Sequence, residues 1–274
     1  MFKTRKIAAE ACSNVQKCSL FKGVVGMLKN DRREKILGIL ASRRKISARE
    51  LAGLCYSSYS SIRRDLEELE KEGLITRSYG SAYLAKSTSY LVPYPLRINK
   101  SFGQKCAIAK KAAALIKEGD TLFIDASSTS SLFAREISHL KGITVFTNNV
   151  EIMSMATQFN YDVVSSGGIQ SYPNRYALSG QIAISALSSI HADWAVFSAR
   201  SLTDKGLIYD VNPNEIAVRS VMLKGSDKKM FLCDSSKFGS VSTYLQCSLS
   251  EVDCLVTDSS ADNYNEAFPN LTVI

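Results

Sequence analysis

The sequence predicts an α/β chain in two parts: a small helical head ending in a two-stranded hairpin, and a larger body on an open, mostly parallel sheet. Three observations predict it. Between Asp31 and Gly80, apolar residues recur at helical spacing three times before a short strand and turn. From Gln104 onward helix and strand signals alternate, which calls for a parallel sheet covered by helices on both faces. Charge is the third. Residues 1–90 hold 18 Lys and Arg against 9 Asp and Glu, a balance of +9, whereas residues 91–274 hold 16 against 17 and balance at −1. A basic head on a near-neutral body suits a nucleic-acid partner.

Residues 1–28 fit nothing downstream. They lack the apolar core of about 7–15 residues that a signal peptide needs, and Met27 is followed at once by LKNDRREKILGIL. The expectation is a disordered extension, or an upstream start with Met27 as the native one. The head is placed at residues 29–85. Ile36, Leu37 and Leu40 line one side of a helix running to about Ser42, and Arg43, Arg44 and Lys45 suit its carboxyl end. Ser47-Ala48-Arg49-Glu50 is a capping box that opens a second helix, with Leu51 and Leu54 turned inward. After a turn at Cys55–Ser57 comes the third helix. Its Ile62, Leu66 and Leu69 share one face, Ser57, Ser58, Ser60 and Ser61 cluster at its start, and Gly73 stands as the residue past its end. Leu74 to Tyr79 reads as a strand and Gly80 as a hairpin tip.

Three short helices and a two-strand wing make a winged helix-turn-helix. The third helix presents small hydroxyls, Tyr59, Arg63 and Arg64, a shape and chemistry suited to a major groove. A solvated charged face is the plain alternative for such a helix taken alone. The candidate DNA contacts are Ser47, Ser58, Tyr59, Ser60, Ser61, Arg63, Arg64 and Arg77.

Residues 86–101 read as a linker, because Ser87, Thr88 and Ser89 precede a Pro93-Tyr94-Pro95 stretch that disfavours helix. The body, residues 102–274, alternates. Helices are expected at Ile108–Lys117, Ser131–Leu140, Val150–Gln158, Ile182–Ile190 and Glu215–Leu223. Strands are expected at Thr121–Asp125, Ile143–Thr147, Tyr161–Ser165 and Trp194–Phe197, with Met230–Cys233 and Cys254–Thr257 the last. Ligands of an open α/β sheet bind beyond the carboxyl ends of its strands. Here those ends are polar: Asp125-Ala126-Ser127-Ser128-Thr129, Thr147-Asn148-Asn149, Gly167-Gly168, Ser198-Ala199-Arg200 and Asp234-Ser235-Ser236-Lys237. A hydroxyl-rich turn at a helix start can hold a phosphate, and a lysine can neutralise it.

Other chemistries find little material. Seven cysteines form no C-x-x-C pair, so neither a disulfide framework nor a zinc site follows, and two histidines leave no metal or acid–base cluster. No apolar run is long enough to span a membrane. No metal, cofactor or catalytic residue is expected.

The third helix and wing resemble the DeoR-type winged helix-turn-helix, whose pattern falls on Ile62, Arg63, Arg64, Asp65, Leu66, Leu69, Glu70, Gly73, Arg77 and Gly80. Ser81 departs from it, standing where a second wing glycine is usual. The segment after Met27 also resembles the family's usual start. Residues 102–260 are similar to the DeoR sensor domain at Asp125–Thr129, Thr147-Asn148, Gly167-Gly168, Glu215 and Asp234–Gly239, with Arg97 and Lys105 at usual basic positions. Ser127, Ser198 and Ser201 replace glycines of that pattern.

The resemblance implies a sheet domain similar in fold to sugar-phosphate isomerases. It also implies a cytoplasmic regulator, a repressor of a carbohydrate or nucleoside operon, that binds operator DNA as a homodimer or higher homo-oligomer. A phosphorylated sugar would be its effector, held by Asp125, Ser127, Ser128, Thr129, Asn148, Gly168, Glu215 and Lys237, with Asn148 and Asp125 reading hydroxyls. Two alternatives stay open: a sensor that has lost its ligand and only oligomerises, and an isomerase- or deaminase-like enzyme using Asp125, Glu215 or Lys237 for proton transfer.

Overall fold

The computed structural model describes residues 29–43, 45–71, 74–84, 94–170 and 174–274. The expectations for residues 1–28, Arg44, Gly73 and the Ser87–Pro93 stretch lie outside these. The chain divides into two compact units, residues 1–89 and 90–274.

The head runs α1 (Lys29–Arg43), β1 (Lys45–Ser47), α2 (Ala48–Leu54), α3 (Tyr59–Lys71), β2 (Ile75–Ser78) and β3 (Ser81–Leu84). Ile36, Leu40, Leu51, Ile62, Leu69 and Ile75 are fully buried and form its core. The Ser47 capping box is present: Ser47 Oγ accepts from the Glu50 amide at 3.2 Å, and the Ser47 amide donates to the Glu50 carboxylate at 3.0 Å. Leu54 corrects an expectation, for it is 38% exposed. The inward position one turn after Leu51 is filled by Cys55, which is fully buried. A further strand, β1, pairs with β3 through Ile46 and Ala82; three residues are too few to carry a periodic signal. At the hairpin tip Tyr79 and Gly80 both have positive φ, 48° and 73°, the two-residue geometry that matches strand twist. Asp65, buried on the inner side of α3, accepts a fork of hydrogen bonds from Arg32 of α1, one at 3.1 Å.

The body opens with α4 (Tyr94–Asn99), which corrects the reading of its proline-flanked start as unfavourable to helix. Pro95 lies in the first turn, where no backbone N–H is needed. Next come α5 (Phe102–Ala113), β4 (Thr121–Ile124), α6 (Ser128–Glu136), β5 (Thr144–Thr147), α7 (Val150–Met155), β6 (Asp162–Ser165), β7 (Ile169–Gln170), β8 (Leu178–Ser179), α8 (Gln181–Leu187) and β9 (Ala192–Phe197). They are followed by β10 (Ser201–Leu202), β11 (Leu207–Asp210), α9 (Pro213–Lys224), β12 (Ser226–Leu232), β13 (Tyr244–Ser248), β14 (Cys254–Val256), α10 (Asp262–Ala267) and β15 (Thr272–Val273). Strands β13 and β15 correct the expectation that the sequence ends its strands at 230–233 and 254–257.

Seven strands form a parallel sheet in the order β15-β14-β12-β9-β4-β5-β6. Alternation along β4 supplies two cores. Leu122 and Ile124 join Ile108 and Ala112 of α5, Phe133 of α6 and Ile152 of α7 on one face. Phe123 joins Leu187 of α8, Val218 and Met222 of α9 and Tyr264 of α10 on the other. A small antiparallel sheet, β10-β11-β13, and a two-stranded ribbon, β7-β8, complete the body. Register sets the site. Ile124 pairs with Thr147 and Val196, Phe231 with Phe197, and Leu232 with Val256. Asp125, Asn148, Ser198, Cys233 and Thr257 follow these positions and therefore share one rim, with Asp234 one residue beyond Cys233.

Candidate functional site: a groove-reading helix and a cationic rim

In the head, α3 starts on a serine knot. Ser58 Oγ accepts from the Ser61 amide at 3.2 Å and lies 3.0 Å and 2.9 Å from the hydroxyls of Ser60 and Ser61. Tyr59, Arg63 and Arg64 are exposed around it. Arg63 meets Glu67 one turn on at 3.3 Å with both side chains solvated. Arg77 of the wing is tied back to the helix, its guanidinium 2.7 Å from Glu70 and its amide 3.0 Å from the same carboxylate. Those bonds hold Glu70 below the usual carboxylate range, the Arg77 side-chain bond contributing most. Ser47 Oγ is likewise engaged, 2.7 Å from Glu50. Two exposed aromatics escaped the sequence reading: Tyr56, in the turn before α3, and Tyr79 at the wing tip.

At the rim of the body, the predicted residues divide into frame and reach. Asp125 is frame. One oxygen accepts from Ser130 Oγ at 2.6 Å and the Ser127 amide at 3.2 Å; the other accepts from Arg219 at 2.9 Å and the Ser198 amide at 3.3 Å. Arg219, buried on α9, also grips Asp210 of β11 at 2.9 Å and Gln246 of β13 at 3.0 Å. Burial works against its charge, but Asp125 and Asp210 outweigh that and raise its pKa. Ser127 is the N-cap of α6, accepting from the Ser130 amide at 3.0 Å, so α6 begins three residues before its expected start. Thr129 is buried in the first turn. Gly168 has φ of 110°, and a Cβ there would stand 2.6 Å from the Ser179 carbonyl. Glu215 accepts from Asn212 at 2.8 Å and Asn174 at 2.9 Å, which bind the segment at 174 to α9.

The reaching groups are cations and one orphan. Lys237 donates to Ser198 Oγ at 2.7 Å and lies 3.4 Å from Asp234. Burial pushes the Asp234 carboxyl up, but Lys237 and the Ser236 hydroxyl prevail and hold it below its ordinary value. Lys105 of α5, 5% exposed, donates to Ser128 Oγ at 3.0 Å and to the Arg97 carbonyl. Its pKa falls to about 7, first through burial and then through Lys237. Arg200 is lowered by burial and by Arg97. Arg97 lies 5.2 Å from the Tyr94 ring, and its Nε is buried without a hydrogen-bond partner. Asn148 donates to the Leu178 carbonyl at 2.9 Å, while its buried Oδ1 has no hydrogen-bond partner among the described residues. A cluster of cations on the same rim as an acceptor with no described partner can take an anion that also carries a hydroxyl. Among the described residues no group of three or more His, Cys, Asp or Glu is placed to hold a metal, and no helix is long and apolar enough to cross a membrane.

Fold and site together describe a two-part chain: a helix-turn-helix head and an α/β body with a polar, cationic rim. Comparison places it. The DeoR C terminal sensor domain matches residues 100–259, and the DeoR-like helix-turn-helix domain matches residues 32–88. The chain belongs to the DeoR family of transcriptional regulators. It is 33% identical over 230 residues to the HTH-type transcriptional regulator GolR of Listeria innocua, covering 84% of this chain and 90% of that one. It is 32% identical to the L-fucose operon activator of Haemophilus influenzae, over 89% of this chain and all of that one. The transcriptional repressor AccR of Agrobacterium fabrum is 28% identical, over 87% and 93%. These relatives are regulators rather than enzymes, in line with the reading of this chain. Among solved structures, ribose 5-phosphate isomerase A of Methanocaldococcus jannaschii matches with a TM-score of 0.37 and 18% identity, over 49% of this chain and 53% of that one.

Proposed function

We propose that this regulator represses a carbohydrate or nucleoside operon and releases its operator when a phosphorylated sugar binds the rim of the body. Residues 29–85 read DNA, through Arg63, Arg64 and Tyr59 in the major groove and Ser47, Ser58, Ser60, Ser61 and Arg77 on the backbone. Residues 102–274 sense and oligomerise, as a homodimer or higher homo-oligomer acting in the cytoplasm. The effector's phosphate sits by Lys237, Lys105 and the first turn of α6, and its hydroxyl donates to Asn148. The single observation behind this is a cluster of cations, the buried Lys105 among them, on the same rim as Asn148 Oδ1, which has no hydrogen-bond partner among the described residues. Asp125, Ser127, Ser128, Thr129, Gly168 and Glu215 shape the site, and Asp125 does so from within the Arg219 network rather than by reading hydroxyls. The relative named as an L-fucose operon activator supports the substrate class, and the relatives' names include both an activator and a repressor.

The test is fluorescence anisotropy on promoter fragments from the neighbourhood of the gene, with and without a panel of sugar phosphates. Release by one member, weakened at least tenfold in Asn148→Ala or Lys237→Ala, is the expected outcome. A panel that changes nothing, with DNA binding intact, leaves a body that only oligomerises.

A further inference from the structure

Lys105 is a buried side-chain amine that, when charged, has no carboxylate of its own. It gives one hydrogen bond to the Arg97 carbonyl and one to Ser128 Oγ, and its third hydrogen has no acceptor among the described contacts. The charged groups that bear on it are Lys237 and Asp234 beyond the end of β12, Arg97 on α4 and Lys100 between α4 and α5. Three are cations. The one carboxylate, Asp234, is already matched by Lys237 at 3.4 Å and by the Ser236 hydroxyl. A charge so placed is unfavourable twice over, by desolvation and by repulsion. Both contacts also tolerate the neutral amine: it keeps two donors for the carbonyl and the hydroxyl, and a serine hydroxyl can turn to donate to its lone pair.

We propose that anion binding at this rim is linked to protonation of Lys105, the amine going from neutral to ammonium as the ligand arrives. The proposal rests on the reading of the rim as an anion site and adds the charge state: the ligand enters as a dianion together with a proton taken from solvent. With a value of about 7 without ligand, the amine is mostly neutral at pH 8, and an adjacent dianion raises its pKa. The sign follows. Below about pH 7 the ammonium is already present and this group adds no pH dependence. Above it, affinity falls as pH rises, by up to about tenfold per unit, until the ligand-bound pKa is passed.

The experiment uses the full chain and inorganic sulfate, which carries no titrating proton near neutrality. Calorimetric titration at pH 7.8 in HEPES and in Tris, buffers of different ionisation heat, counts the protons exchanged. The expected result is an uptake of about one proton in the parent and none in Lys105→Arg, whose guanidinium stays charged. Equal heats in the two buffers overturn the proposal. A second, ligand-free arm follows Tm from pH 6.5 to 9 for the parent and Lys105→Met. Unfolding returns the lysine to an ordinary pKa, so the parent gains on the variant as pH rises; a constant gap overturns the proposal. Should Lys105→Met fail to fold, Lys105→Arg gives the same contrast. Sulfate that produces no heat while the Tm gap widens also overturns the linkage, but it locates the failure in the anion site rather than in Lys105.

Discussion

The outer face of the head and the rim of the body handle charge in opposite ways. In the head, Arg63, Arg64 and Arg77 are exposed, and their partners Glu67 and Glu70 are solvated with them. These pairs sit in solvent, and water screens them. At the rim of the body, Asp125, Arg219, Lys105 and Asp234 are all at least 95% buried, and each sets the protonation or position of another. The difference teaches where mutation does damage. Arg63 or Arg64 on the outer face of α3 can be removed without disturbing the fold, so its loss reads out as binding; a rim charge, like Arg32 against the buried Asp65 in the head, cannot be removed without leaving another stranded.

Breaking the hub is the sharpest way to test that contrast. Arg219→Ala strands Asp125 and Asp210 together and should destabilise the body by about 3–5 kcal/mol, seen as a lower urea midpoint for its transition. An unchanged midpoint would mean the network is not structural. Gly168→Ala comes next. A methyl 2.6 Å from the Ser179 carbonyl, at φ of 110°, should cost about 1–3 kcal/mol, measured by the same denaturation.

Binding effects in the head follow. Arg63→Ala or Arg64→Ala should keep the parent's melting profile while weakening cognate DNA by about 1–3 kcal/mol if a guanine contact is lost. A lost phosphate contact instead weakens all sequences alike and lowers the salt slope by about 1. Anisotropy across operator variants and salt separates them, and two variants that bind like the parent would remove α3 as the reader. The smallest effect is expected for the Arg77–Glu70 pair, about a third exposed on both sides. Glu70→Gln should change stability by less than about 1 kcal/mol. A larger loss would show that the wing, unlike the outer face of α3, relies on coupled charge.

Much of this was legible beforehand, and for a common reason. Ile62, Leu66 and Leu69 announce α3 by spacing, Ser47 and Glu50 announce α2 by a local exchange of hydrogen bonds, and the polar strand ends announce a rim because a parallel sheet aligns them. Each is an interaction within a few residues or a pattern repeated along one element. Leu54 was misjudged because a two-turn helix leaves its last residue's side to whatever follows, here Cys55. The proline-flanked α4 was missed because Pro95 forbids only an interior position. Strands β10 and β15 are two residues each, too short for a periodic signal, and β13 owes its existence to β11, a partner far back in the chain.

What the sequence by itself determined is therefore the order of helices and strands, the basic head and the polar rim, since these follow from neighbours in the chain. What only the tertiary structure decided is the work each rim residue does. It binds Asp125 to Arg219, 94 residues away, and so makes a frame of a carboxylate that composition alone would offer to a ligand. It buries Lys105 among cations, and it leaves Asn148 with a free acceptor while its neighbour Asn149 caps α7. Desolvation and long-range pairing set those roles, and both depend on which distant side chains folding brings within about 3 Å of one another.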